Sequence, residues 1–225
     1  MSLTGDIAAI LDTIELPLGT NSLVRRSDAL QIWIRRDYAN LHQLFVDQPI
    51  NLLGNSRLEE PLAYRLAWSY WLQGKFERAS VYANEVLPFL ELAFPPENRG
   101  LFYKYHKAAA YEIAGDPRGR ALLDELLSDN AGYFNDERFG ILHTQFLVMQ
   151  GNHAEALDEI ERLLSQPGLH GPDFFLYLPP YDRLFDEPRF REILRAFYSD
   201  EVISQGIAWV RERIAESQAV EVESK

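Results

Sequence analysis

The sequence predicts an all-α fold: antiparallel helical hairpins stacked into a short right-handed superhelical array, with capping helices. Three observations predict it. Apolar residues recur at helical rather than strand spacing along nearly the whole chain. Gly74, Gly115 and Gly151 each close one amphipathic stretch and lead directly into another. These glycines stand 41 and 36 residues apart, a period at which one helical pair cannot bury its apolar face alone and must lean on the next.

Composition sets the outer limits. The chain has 225 residues, with 22 Lys and Arg against 34 Asp and Glu, a formal net charge of −12. That length suits one domain or one compact array, and 47% hydrophobic residues supply a substantial core. The absence of cysteine excludes a disulfide framework, an iron–sulfur cluster, a cysteine nucleophile and a thiolate zinc site. The acidic balance argues against nucleic-acid binding, which needs a basic surface to displace phosphate counterions. Residues 1–6 lack the charged start of a signal peptide, and no apolar run reaches the roughly eighteen residues of a membrane span. A cytoplasmic location is expected.

Residues 1–58 read as N-terminal capping helices containing an irregular hairpin. Ile32-Trp33-Ile34 ends one helix, Asp37-Tyr38 opens the next, and Arg36 stands where a turn glycine is expected. Residues 59–168 read as three hairpins. In the first, Ala63, Leu66, Ala67 and Tyr70 form one stripe and Tyr64, Trp68 and Trp71 a second beside it, at 100° per residue. A helix apolar over half its girth touches neighbours on two sides. After Gly74 a second helix carries Phe76, Ala79, Ala83, Val86 and Leu87, and so short a turn folds it back on the first. Residues 102–114 carry Tyr105, Ala108, Ala109 and Tyr111, followed by Gly115-Asp116-Pro117 and a helix with Ala121, Leu122, Leu126 and Leu127. Residues 139–150 carry Leu142, Phe146, Leu147 and Met149, and after Gly151 come Ala156, Leu157, Ile160, Leu163 and Leu164.

These residues resemble the tetratricopeptide repeat, with its Trp-x2-Leu-Gly-x2-Tyr, turn glycine, Ala-x3-Phe and terminal proline. Leu66-Ala67, Tyr70, Gly74 and Ala79-x3-Ala83 match in the first hairpin; Leu147, Gly151, Ala156-x3-Ile160 and Pro167 match in the third. The middle unit keeps Ala108, Tyr111 and Gly115, with its alanine, Ala121, one residue late. Residues 178–194, LPPYDRLFDEPRFREIL, look like the segment that closes many bacterial tetratricopeptide arrays. Pro179-Pro180 forbids a helix interior, Pro188 starts a new helix, and Phe190, Ile193, Leu194 and Phe197 are placed to cover the open end. Within residues 169–217, the last helix carries Ile203, Ile207, Val210 and Ile214. That row reads as the buried face of a capping helix, or as a short coiled-coil seam joining a homodimer. Residues 218–225 read as a disordered acidic tail.

The search for chemistry finds little. The five histidines never take H-x-x-x-H spacing, although His106 and His143 lie on first helices of different hairpins. The sequence around Gly115 and Gly119 lacks the Gly-Lys-Ser/Thr ending of a phosphate loop, and no G-x-S-x-G elbow occurs. No catalytic group, metal site or cofactor is expected; the alternatives are a self-associating regulatory helical protein and an enzyme whose site is assembled across helices. The resemblance implies a protein-binding scaffold, first helices lining a concave face that grips a peptide or partner segment. Mapped onto this chain, that face presents Tyr64, Trp68 and Trp71, then Phe102, Tyr105 and Glu112, then Ile141, Gln145 and Val148. The aromatic set fits equally a role in packing against residues 22–46 or the capping segment. Arg25, Arg26, Arg35 and Arg36 form a local basic cluster, suited to an acidic peptide or simply to an exposed helix face.

Overall fold

The computed structural model describes residues 30–47, 62–94, 96, 100–129, 137–166 and 171–223. Every regular element among them is helical. After a helical turn at residues 30–34 come α1 (Tyr38–Asp47), α2 (Leu62–Leu72), α3 (Phe76–Ala93), α4 (Leu101–Ile113), α5 (Arg118–Asp129), α6 (Glu137–Met149) and α7 (His153–Leu164). There follow α8 (Pro172–Tyr177), a 3-10 helix (Pro179–Leu184), α9 (Pro188–Arg195) and α10 (Asp200–Glu223). Among the described residues no helix is long and apolar enough to cross a membrane. The contacts divide these residues into two compact units: 40–139, and 30–39 together with 140–223. The division cuts through α1 and α6 and follows none of the boundaries expected from the sequence.

One turn recurs four times. Gly74 N–H donates to Trp71 C=O at 2.9 Å and Lys75 N–H to Tyr70 C=O at 2.9 Å, the pair of hydrogen bonds that satisfies a helix's last carbonyls. Gly115 with Asp116, and Gly151 with Asn152, repeat it, and the three glycines have φ of 73°, 74° and 76°. Only glycine enters that left-handed region without a Cβ penalty. The fourth copy is at Arg36, φ 57°, whose N–H donates to Trp33 C=O at 3.0 Å while Asp37 N–H reaches Ile32 C=O at 3.1 Å.

In the unit of residues 40–139, α2 packs on α3, α4 on α5, and α4 also touches both α2 and α3. After Gly74 the buried positions are Ala79, Ala83 and Val86; after Gly115 they are Gly119, Leu123 and Leu126, each one residue nearer its turn. Ala121, expected as the repeat alanine, is exposed. Gly119 holds the close-contact place instead, because a Cβ there would lie 2.7 Å from Glu112 N and 2.8 Å from Ala108 O. The middle pair is therefore one residue short rather than one residue late.

In the other unit Gly140 lies against Leu163, Glu159 and Arg162, which joins α6 to α7. Ala156, Ile160 and Leu163 are buried at the same offsets from Gly151 as their counterparts from Gly74. Helix α10 packs on α8 and α9, burying Ile203, Ile207, Trp209 and Val210. Three residues of the row read as a capping face or a coiled-coil seam, Ile203, Ile207 and Val210, are thus buried within the chain, and Ile214 is half-buried. Helix α10 runs to Glu223, through the first part of the segment expected to be a disordered tail.

This unit is also held by a buried ion pair. Arg36 is 0% exposed; its guanidinium grips both Asp182 carboxylate oxygens, Nε–Oδ2 at 3.2 Å, and donates to Tyr177 C=O at 2.6 Å and to Ile34 C=O. Burial pushes the Asp182 carboxyl up, and the Arg36 charge offsets part of that. Tyr38 is pushed well up, first by burial and then by Asp182. Arg36 is therefore not part of an exposed basic cluster. Arg35 is half-buried, and Arg25 and Arg26 lie outside the described residues.

Candidate functional site

Of the residues mapped to the concave face, those whose side chains are described are buried or half-buried. Tyr64, Trp68 and Trp71 do share one side of α2, but Trp68 is 1% exposed and the other two are also buried. Trp68 meets Tyr64 edge-on at 6.4 Å and Trp71 at 5.6 Å, while Tyr64 lies 5.1 Å from the His106 ring on α4. Tyr105 is buried on α4, and Ile141, Gln145 and Val148 are buried on α6. Glu112 is half-buried, and burial raises its pKa against the pull of Arg120. The Phe102 side chain lies outside the described residues. The physical reason is area: each large aromatic side chain gains about 1.5–3 kcal/mol by leaving water, so two adjoining stripes on α2 both find cover.

The histidines weighed as a pair fall in different units. His106 is buried beside Tyr64. His143 is half-buried on α6; burial lowers its pKa, opposed by Glu159 and Glu155. Among the described residues no group of three or more His, Asp or Glu side chains is placed to hold a metal ion.

The described residues include two open clefts. The first, of about 490 Å³, lies between α4 and α5, with Tyr103, Lys107 and Tyr111 on one wall and Arg118, Leu122 and Glu125 on the other. Its cations are answered by the chain's own carboxylates. Lys104 meets Glu125 at 3.2 Å and Arg118 meets Asp116 at 2.5 Å, with the guanidinium 4.3 Å above the Tyr111 ring. Lys107 Nζ bonds Glu91 at 2.6 Å and Tyr103 Oη at 3.0 Å, and Tyr103 donates to the same Glu91 oxygen. Burial pulls the Lys107 ammonium down, but those two bonds more than offset it, so its pKa rises. The Arg118 bonds hold the Asp116 carboxyl down at about 2. This wall is internally satisfied.

The second cleft, of about 360 Å³, lies between α7 and α9 within one unit. Its floor is Leu164, Ile193, Ala196 and Phe197, and its rim Glu161, Ser165, Arg189 and Glu192. Phe197, expected to help cover the open end of the array, is 46% exposed. Helix α9 stops at Arg195, so Phe197 falls in the break and leaves the face carried by Phe190, Ile193 and Leu194. A signal for this existed in the sequence: Ser199-Asp200-Glu201 is a helix start, with Ser199 Oγ accepting from Val202 N–H at 3.4 Å. Arg189 bridges Asp158 at 2.5 Å and Glu161 at 2.7 Å. Glu192 forms no ion pair among the described residues.

Against this geometry the comparisons with known proteins are silent: no family model, no curated protein and no solved structure matches the chain.

Proposed function

We propose that this chain is a non-catalytic protein-interaction module, a short array of tetratricopeptide-like hairpins that holds a peptide or partner segment in the α7–α9 cleft. The observation that carries this reading is Phe197, a large aromatic side chain left 46% in water beside an apolar floor. A side chain from a partner, seated on Leu164 and Ile193, completes the burial that the chain itself leaves undone. The four equivalent turns support the array reading, since so short a link between two helices favours an antiparallel hairpin. The partner sits away from the aromatics first assigned to it, because Tyr64, Trp68 and Trp71 are packed inside.

A selection from a random peptide library displayed on phage tests the reading. Peptides recovered on the wild-type chain should lose binding to Phe197→Asp, while Ala121→Asp, at an exposed site on α5, retains them. Both variants should melt within a few degrees of the wild type, since exposed substitutions change stability by only about 0.5 kcal/mol. Recovered peptides that bind Phe197→Asp undiminished would refute the cleft as the site.

A further inference from the structure

We infer that the α7–α9 cleft selects a cationic amphipathic segment, an apolar side chain entering the cleft and Lys or Arg side chains resting on its rim. This rests on the interaction reading above and adds the partner's chemistry. The rim is acidic: Asp158 and Glu161 lie on exposed positions of α7, one turn apart, and share the single cation Arg189. Glu192, on α9 at the same rim, adds a carboxylate with no ion pair of its own among the described residues. Of the nearby arginines, Arg162 pairs with Glu159 at 2.5 Å, and Arg195 pairs with Asp200 at 2.6 Å while its charge also acts on Glu192 at longer range. The last turn of α7, ending at Leu164 with Ser165 on the rim, adds the negative end of a helix dipole to the same place.

Charge then decides between occupants. An acidic segment meets rim carboxylates and a chain of net charge −12. A second copy, docked through a two-fold axis, sets the same carboxylates against their own counterparts. A cationic segment meets complementary charge at both ranges: the distant field speeds its approach, and the rim holds it. The apolar floor supplies the anchor whatever the sign of the flanks.

The full chain is titrated with two fluorescent synthetic helical peptides sharing one Leu/Phe stripe, one with Lys and one with Glu on the opposite face. Anisotropy is read at about 50 mM and about 300 mM NaCl, between which screening of exposed charges deepens markedly. The Lys peptide should bind at least about 10-fold tighter at low salt and lose most of that advantage at high salt. Glu192→Lys should narrow the preference several-fold, and Phe197→Asp should abolish binding of both peptides while its circular dichroism and melting match the wild type. Equal affinity for the two peptides, still lost in Phe197→Asp, overturns the charge selection and leaves the interaction reading intact. Binding of neither peptide, or binding indifferent to Phe197, overturns the inference, with the display selection deciding the broader reading separately. A dimer in sedimentation velocity that disappears in Phe197→Asp overturns it in favour of a second copy.

Discussion

Replacing Arg36 by glycine, the residue that the other three turns carry, should destabilise the chain. The two effects of Arg36→Gly oppose each other. Glycine relieves the left-handed backbone at φ 57°, worth about 1–2 kcal/mol, part of which returns as entropy of the unfolded chain. Against this, Asp182 loses the Arg36 guanidinium, and stranding one partner of a buried pair costs about 3–5 kcal/mol. Tyr177 C=O loses its donor as well. The net loss is about 3 kcal/mol, which for a chain of this length lowers the melting temperature by roughly 6–12 °C. The penalty should also depend on pH. With Arg36 gone, the Asp182 carboxyl rises further above its ordinary 3.8, and a group raised on folding takes stability away as pH climbs through its folded value. The deficit of Arg36→Gly is therefore largest near neutrality and shrinks toward pH 4. Thermal melts at several pH values read this directly. A variant as stable as the wild type at pH 7, or a deficit that grows in acid, refutes the reasoning.

Trp68→Ala should cost about 3–5 kcal/mol, because it empties a fully buried site between Tyr64 and Trp71; chemical denaturation measures it. Gly119→Ala should destabilise by about 1–3 kcal/mol despite a better helix propensity, since its Cβ meets the α4 backbone. Gly74→Ala, with open space around the added carbon, should lose only the left-handed strain of about 1 kcal/mol. His143, whose pKa burial lowers from 6.5, is protonated first in the unfolded chain as pH falls, so stability drops below about pH 6.5. His143→Gln should flatten that part of the stability–pH curve.

The turns were legible because their cause is local. Gly74, Gly115 and Gly151 do what only glycine does cheaply, and the pattern around each points to the helices it joins. At Arg36 the sequence marks the turn but not the reason for an arginine, because Asp182 lies 146 residues away. In the middle unit Ala121 stands one residue off the pattern, and spacing alone does not tell a late alanine from a helix shortened by one residue at Gly119. The two stripes on α2 announced that both sides find cover without saying what covers them, so Tyr64, Trp68 and Trp71 read equally as groove or interior. Phe197 was legible only through the helix start behind it. The cleft it edges depends on how α9 leans on α7, which no local spacing encodes.

The clasp between Arg36 and Asp182 has a consequence for biosynthesis. At about 5–20 residues per second, a ribosome takes on the order of 10 s to move from one codon to the other. Residues 40–139 emerge complete in that interval, while the arginine that precedes them waits in water for its carboxylate. A message cut short before Asp182 would therefore release a chain whose early turn lacks the carboxylate that answers its charge.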